Sequence, residues 1–134
     1  MEAIIKTMID KAVSALDHAY APYSNFAVGC CICTDDNTLY TGVNVENASY
    51  PLTSCAEASA ISQMVTAGHR NIKAVVVLAG DNSICPPCGG CRQRIHEFST
   101  ATTLIHLCNK DSVLQTFTMG NLLPMAFTLT TPKR

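Results

Sequence analysis

The sequence predicts an α/β fold, a three-layer α/β/α sandwich around a mixed five-stranded sheet. Apolar, strand-like runs alternate along the chain with segments of helical periodicity. The strongest run, residues 72–79, is apolar on both faces, as in a strand covered by helices on each side of its sheet. The 134 residues suffice for one hydrophobic core, so we expect a single domain over 1–134.

Each element has its own local signal. Apolar residues at helical spacing predict a first helix over 3–19, broken near Pro22. Two strand-like runs, 26–34 and 39–43, flank a polar turn and predict a hairpin. The later predictions are a helix from Cys55 to near Gly68, the strand 72–79, a helix at 89–98, strands at 103–108 and 113–116, and a helical turn at 119–123.

Composition and charge restrict the classes of partner. The net charge is −1 and the nine basic residues are scattered, which excludes the basic stripe of a polynucleotide binder and favours a small substrate. No apolar run approaches membrane-spanning length, so we expect no membrane partner. Residues 1–7 lack a signal-peptide core, which predicts a cytoplasmic protein. A 48% apolar content in so short a chain suggests a subunit interface.

The chain has eight cysteines, which we expect to be reduced in the cytoplasm. Three are candidate metal ligands, and the other five are expected to be buried thiols that behave as small hydrophobes. These five are Cys30, Cys31, Cys33, Cys85 and Cys108. Cys30 and Cys31 are neighbours in a strand and should point to opposite faces of the sheet.

The remaining three cysteines form a candidate zinc site. Cys88 and Cys91 are spaced to lie on one face at the start of a helix, and Cys55 opens another predicted helix. Two such helices side by side would bring the thiols together, and their positive ends would offset part of the thiolate charge. Three protein ligands leave a fourth position for water, which is the catalytic arrangement. Glu57 then lies near that water as a general acid and base, which favours hydrolysis.

On spacing alone, each of these residues could also have a purely structural role. An isolated Cys-x-x-Cys pair is often a structural zinc knuckle or a redox pair, although Glu57 and Pro87 favour catalysis here. Phe26 is equally compatible with a core position. On spacing alone, the polar residues Asn44 and Glu46 favour a solvated loop, and Tyr50 before Pro51 is compatible with a turn residue.

Five motifs together resemble the small, homotetrameric cytidine deaminases that have three cysteine ligands, and they span nearly the whole chain. They are Tyr23–Phe26, Asn44–Tyr50, Cys55–Glu57, Pro87–Gln93 and Leu122–Phe127. The resemblance implies one zinc ion per chain, held by Cys55, Cys88 and Cys91. It also implies hydrolytic deamination of cytidine and deoxycytidine to uridine and deoxyuridine, a reaction of pyrimidine salvage.

The same resemblance implies a role for each remaining site residue. Glu57 would pass a proton to N3 of the cytosine ring and then to the departing amine. Asn44 and Glu46 would bind the sugar 3′-hydroxyl. The implied substrate-binding residues are Phe26, Asn44, Glu46, Tyr50, Ala56 and Phe127. Of these, Phe26 would pack on the base, while Tyr50 and Phe127 would complete the active site of a neighbouring chain in a homotetramer.

Two positions depart from the family pattern. Ala58 stands where many relatives have an arginine that hydrogen-bonds the zinc thiolates, so charge compensation should come from the helix ends or from Arg92. Pro86 stands where a serine is common, and we expect little effect because a backbone carbonyl would serve there.

Two other functions compete with cytidine deamination. One is deamination of another small aminopyrimidine, such as blasticidin S, against which a sugar-binding pair at Asn44 and Glu46 argues. The other is a non-catalytic zinc-binding module, in which Glu57 would have no use.

Overall fold

The structure, a computed structural model described here for residues 1–129, is a five-stranded sheet with helices on both faces. The strand order is β2-β1-β3-β4-β5. The helices are α1 (Ala3–Leu16), α2 (Ala56–Thr66), α3 (Gly89–Glu97) and α4 (Met119–Leu122). The strands are β1 (Val28–Thr34), β2 (Leu39–Val43), β3 (Ile72–Ala79), β4 (Leu104–Cys108) and β5 (Val113–Thr118). A 3₁₀ turn covers Tyr50–Leu52.

The sheet is mixed, as the sequence predicts. The hairpin pairs β1 with β2, and β1 also pairs antiparallel with β3. The only parallel pair among the described strands is β3 with β4, and α3 makes the crossover between them. β5 then pairs antiparallel with β4 and forms one edge. The predicted α/β class, layer arrangement and strand count are therefore confirmed.

One face of the sheet is covered by α1. Its apolar stripe includes Met8, Ile9 and Ala12, all without solvent exposure, and it packs on Cys31 and Val76. The helix lies close because β1 offers Gly29 beneath it: a Cβ atom there would be 2.7 Å from the Ala12 carbonyl oxygen.

The opposite face is covered by α2, α3 and α4. Their buried residues, including Met64 and Ile95, pack on alternate strand residues such as Val75 and Val77. β2 carries Gly42 directly under α2, where a Cβ atom would overlap the helix backbone at Ala60. This close approach lets the first turns of α2 lie directly against β2.

Several predicted boundaries differ from the structure: α2 ends at Thr66 rather than near Gly68, and β5 runs to Thr118 rather than to 116. Two other differences have a visible cause. The first helix ends at Leu16 rather than at 19, because Tyr20 pairs with the segment after β2: its N–H donates to the Asn44 carbonyl at 3.0 Å. β1 begins at Val28 rather than at 26. The Asn44 side chain bonds the Phe26 carbonyl and the Val28 N–H, which holds Phe26 outside the sheet ladder.

The strand cysteines behave largely as predicted. Cys30 belongs to the core under α2 and Cys31 to the core under α1, so the two point to opposite faces. Cys33 and Cys108 are also buried. Cys85 is the exception: it is only partly buried, because it lies in the loop before α3 rather than in a strand. Within residues 1–129, no helix combines the length and apolar character needed to cross a bilayer.

Candidate active site

Two helix starts form the centre of the candidate site. Cys55 is the N-cap residue of α2 and Cys88 is the N-cap residue of α3, as the sequence predicts. Cys91 lies in the first turn of α3 and has no solvent exposure. The two helices pack against each other on the same face of the sheet. Their positive ends therefore point toward one region, where they favour anionic ligands.

Three donor atoms converge between these helix starts. The sulfurs of Cys55 and Cys91 and a carboxylate oxygen of Glu57 all lie within 4.8 Å of one another. In the structure the two sulfurs form a disulfide bond, and the Cα atoms of Cys55 and Cys91 are 7.4 Å apart. That separation exceeds the roughly 4.4–6.8 Å usual for disulfides. In a metal-loaded site both atoms would be thiolate ligands, and this compact, sulfur-rich donor set fits zinc.

Cys88 lies beside this group without belonging to it. It is exposed at the start of α3, three residues before Cys91, and it forms no disulfide within the described part of the chain. The structure thus brings together two of the three predicted sulfur ligands with Glu57, and it places the third at the rim.

Glu57 is the buried acid of the site. It lies in the first turn of α2 and is only 4% exposed. Burial raises the pKa of its carboxyl, because the charged form loses solvation, and the Arg94 guanidinium partly opposes that shift. A carboxyl with a raised pKa can hold a proton nearer neutrality and release it again.

Asn44 and Glu46 organise the loop that precedes β1. The Asn44 amide accepts from the Val28 N–H at 3.0 Å and donates to the Phe26 carbonyl at 2.8 Å. The Glu46 carboxylate accepts from the N–H groups of Tyr23 and Ser24 at 2.9 and 3.1 Å, and from the Ser24 hydroxyl. These bonds lower the pKa of Glu46, with the Ser24 hydroxyl as the largest cause. The two residues are therefore structural parts of a well-defined loop and not merely solvated.

A cavity of about 240 Å³ opens on this loop. Its lining includes Glu46, Tyr50 and Tyr23, and the two tyrosine rings meet edge to face with centroids 6.2 Å apart. Phe26, at the end of the same loop, is 37% exposed and so is not a core residue. The structure thus groups Tyr50 and Glu46 at one cavity, with Phe26 nearby in the chain.

The last two predicted residues lie elsewhere. Ala56 follows Cys55 as the first residue of α2 and has no exposed surface, so only its backbone is suited to a ligand. Phe127 is 69% exposed, and its carbonyl accepts a hydrogen bond from Gln93 at 2.9 Å. Its side chain lines a cavity with Phe98, at the end of α3 away from the cysteines. Within its own chain, Phe127 is separated from the cysteine cluster.

Comparison with known proteins identifies the family. Residues 3–107 match the family model of the cytidine and deoxycytidylate deaminase zinc-binding region. A cytidine deaminase from Halalkalibacterium halodurans is 41% identical over 121 residues, covering 90% of this chain and 92% of the relative. The chain belongs to the cytidine deaminase family.

Solved cytidine deaminase structures agree with this assignment. The enzyme from Burkholderia pseudomallei aligns with a TM-score of 0.85 at 39% identity, covering 95% of this chain and all of that one. The enzyme from Mycobacterium tuberculosis aligns with a TM-score of 0.84 at 37% identity, covering 96% of this chain and all of that one. Family membership and the donor set at Cys55, Glu57 and Cys91 both indicate zinc as the cofactor.

Arg94 is the site residue that sequence reasoning missed. Its Nη1 atom lies 3.6 Å from the Cys91 sulfur and 3.9 Å from the Cys55 sulfur. Arg92, a predicted source of charge compensation, instead donates to the carbonyls of Pro87 and Leu122 at 2.8 and 3.1 Å. Of the two predicted sources, the helix ends and Arg92, the second was therefore wrong, because the Arg92 side chain bonds backbone carbonyls and not the sulfurs. Position 94 follows Cys91 by three residues, a spacing that places both on one helix face and could have revealed it.

Proposed function

We propose that this member of the cytidine deaminase family hydrolyses cytidine and deoxycytidine to uridine and deoxyuridine, with release of ammonia. One observation carries the proposal. A buried carboxyl, Glu57, lies within 4.8 Å of two sulfurs that come from the starts of two different helices. A zinc module that only stabilised the fold would have no use for a buried acid at its metal ligands.

The chemistry divides between the metal and the carboxyl. When bound, zinc polarises a water molecule and lowers its pKa toward neutrality. Glu57 accepts the proton that the attacking water loses as its oxygen bonds to C4 of the cytosine ring. Glu57 delivers this proton to N3. The oxygen now bonded to C4 keeps its second proton, which Glu57 takes up and passes to the amino group as the C4–N bond breaks, so that ammonia leaves and a carbonyl remains at C4. One carboxyl serves both transfers because they occur in sequence, and its raised pKa suits a group that is alternately acid and base.

We assign the zinc ligands as Cys55, Cys88 and Cys91, one ion per chain. The first and last already converge with Glu57. Cys88 caps the same helix that carries Cys91, and its exposed side chain is not held by packing. We propose that rotation about its Cα–Cβ bond brings this sulfur to the metal as the third ligand.

The nucleoside would lie along the loop at Asn44 and Glu46. A carboxylate accepts about four hydrogen bonds and an amide nitrogen donates two. Glu46 already accepts three bonds and the Asn44 nitrogen donates one, so each keeps capacity for a sugar hydroxyl. Phe26 would pack on the base, and the Ala56 backbone would contact the ring beside Glu57.

We further propose a homotetramer with shared active sites, in which Tyr50 and Phe127 reach a neighbouring chain. Both rings are strongly exposed in the single chain, at 72% and 69%. Covering them in an assembly removes apolar surface from water, which is favourable. Mixing Glu57→Ala and Phe127→Ala proteins, refolding them together and assaying turnover tests this arrangement. Activity above the parental average supports a shared site, and mixed oligomers with merely average activity refute it.

We place this function in the cytoplasm, because thiol ligands must stay reduced to bind zinc. The substrate would be a free nucleoside rather than a polynucleotide or a membrane component. Net charge near zero, without a basic cluster in the sequence, supports that choice.

A spectrophotometric assay tests the function directly. Purified zinc-loaded protein should deplete the ultraviolet absorbance of cytidine and of deoxycytidine, and it should leave cytidine monophosphate, single-stranded DNA and blasticidin S unchanged. Glu57→Gln keeps the shape of the side chain but cannot carry a proton, so turnover should fall by ~10²-fold or more. Zinc content and thermal unfolding of the variant serve as controls. Full turnover by a zinc-loaded Glu57→Gln protein would refute the mechanism, and turnover of the monophosphate at a similar rate would refute the substrate assignment.

A further inference from the structure

Arg94 touches both sulfurs of the candidate zinc site from outside the ligand set. Its Nη1 atom is 3.6 Å from the Cys91 sulfur and 3.9 Å from the Cys55 sulfur. Within residues 1–129 these are the hydrogen bonds that its guanidinium makes. One nitrogen thus bridges a ligand on α2 and a ligand on α3.

We infer that Arg94 is a positioning residue for these ligands, and that it replaces, from α3, an arginine that this chain lacks at position 58. The inference rests on the zinc ligand set proposed above. Its role is to hold the two sulfurs in place and to offset their negative charge, and it does not touch the substrate.

The sequence around both positions allows this exchange. Ala58 lies in the first turn of α2 and its side chain is too short to reach a sulfur as a donor. On α3, Gly90 leaves space for the guanidinium to fold back: a Cβ atom at position 90 would lie only 3.4 Å from the Arg94 Nη1 atom. The small residue at 58, the glycine at 90 and the arginine at 94 therefore all fit an arginine that reaches the sulfurs from α3 rather than from α2.

Charge explains why the site needs such a group. Three thiolates around one divalent ion leave one negative charge in excess, which the helix ends offset only in part. A guanidinium at contact distance favours the liganded state and restricts the sulfurs, since hydrogen-bond partners of metal ligands orient them.

The test is zinc retention, which needs no substrate. Zinc-loaded full-length protein and its Arg94→Met variant are titrated with a chromogenic chelator, and zinc release is followed as affinity and as rate. Methionine keeps an unbranched side chain and good helix propensity without the charge. We expect zinc affinity to fall by about 10–100-fold. Arg70→Met is the matched control, because Arg70 is also exposed but lies away from the cysteines, and its affinity should not change.

Two further variants separate this role from a general effect on the fold. Ala58→Arg combined with Arg94→Met returns an arginine to α2 and should restore most of the lost affinity. Arg94→Lys keeps a charge without the planar fork and should give an intermediate affinity.

The inference is overturned if Arg94→Met binds zinc as tightly as the parent protein, if the double variant shows no recovery, or if Arg70→Met is equally impaired. Failure of the proposed function looks different. A parent protein that holds zinc through Arg94 but leaves cytidine unchanged would contradict deamination while supporting the role of Arg94.

Discussion

The two faces of the sheet have the same kind of core but different chemistry. Under α1, alternate strand residues bury Cys31, Cys33 and Cys108 with aliphatic side chains. On the opposite face, Cys55 and Cys91 lie where helices begin, between α2 and α3. Cys30 is also buried on that second face, beneath α2, so strand cysteines are sealed on both faces, and within residues 1–129 only the cysteines at the helix starts are grouped with an acid.

The difference lies in solvation and in the elements that carry the sulfurs. Burial raises the pKa of Cys31 to about 12 and that of Cys108 to about 11, so these thiols stay protonated and do not ligate metal. A helix start offers instead unpaired N–H groups and a positive dipole end, which favour an anionic sulfur. Whether a cysteine can bind metal or serves only in the core therefore depends on its position within a secondary-structure element.

The largest expected difference between the faces comes from removing one buried sulfur on each. Cys91 and Cys108 both have no solvent exposure, so they form a matched pair. Cys91→Ala should lose zinc and all measurable turnover. Cys108→Ala should keep both and lose roughly 1 kcal/mol of unfolding free energy, as for deletion of one core methyl-sized group. Zinc content by atomic absorption and urea unfolding measure the two effects. Zinc loss in Cys108→Ala would contradict the division between the faces.

A second pair of substitutions tests how closely α1 and α2 must pack against the sheet. An added Cβ at Gly42 would overlap the α2 backbone at Ala60, and one at Gly29 would meet the Ala12 carbonyl of α1 at 2.7 Å. Overpacking of this kind destabilises by about 1–3 kcal/mol or more. Gly42→Ala should also weaken zinc binding, because α2 carries Cys55 and Glu57. Gly29→Ala should lower the thermal midpoint with zinc affinity unchanged.

The outcome for zinc, rather than for stability, is the informative one in this pair. Equal zinc affinities in the two folded variants would show that the position of α2 does not set the site. Chelator titration of each variant below its thermal transition makes the comparison.

The smallest expected effect is a pH dependence of folding stability that arises from His106, a residue on the α1 face of the sheet. His106 on β4 is 7% exposed, and its Nδ1 bonds the Thr116 hydroxyl at 2.8 Å. Its Nε2 is buried and has no hydrogen-bond partner among residues 1–129. Burial lowers the pKa of this imidazole, an effect that Glu2 partly opposes. The unfolded chain therefore binds a proton more readily. This contribution to stability is complete above the unfolded pKa of about 6.5 and is lost as the pH falls below it.

His106→Gln should flatten the pH dependence of stability below neutrality. The difference in slope from the parent protein can reach about 1.4 kcal/mol per pH unit. Urea unfolding at pH 7, 6 and 5 measures it. Parallel slopes for the two proteins would show that His106 is not the group that titrates, whereas zinc affinity at pH 7 should be the same in both.

Much of the fold was accessible from sequence because its signals are local. The run at 72–79 is apolar on both faces, and the structure makes it the β3 strand at the centre of the sheet, with helices on each side. Cys55 and Cys88 precede helical patterns, and both are N-cap residues. Two of the boundaries that failed, at Leu16 and at Val28, depend on pairing with the distant Asn44 segment. No local pattern reports a hydrogen bond between residues sixteen or more positions apart.

The sequence by itself determined the family: its Cys-x-Glu and Cys-x-x-Cys motifs favour a zinc hydrolase, and together with three further motifs they resemble the cytidine deaminases, a family that the comparison confirms. Tertiary structure alone decided which partners those groups meet. It placed Arg94 rather than Arg92 on the sulfurs, used Asn44 and Glu46 to hold a loop, and set Phe127 apart from the cysteines. The physical reason is range. Metal-ligand motifs and helix caps involve residues within a few positions of one another. Electrostatic contacts and cavities instead depend on how whole helices pack against the sheet.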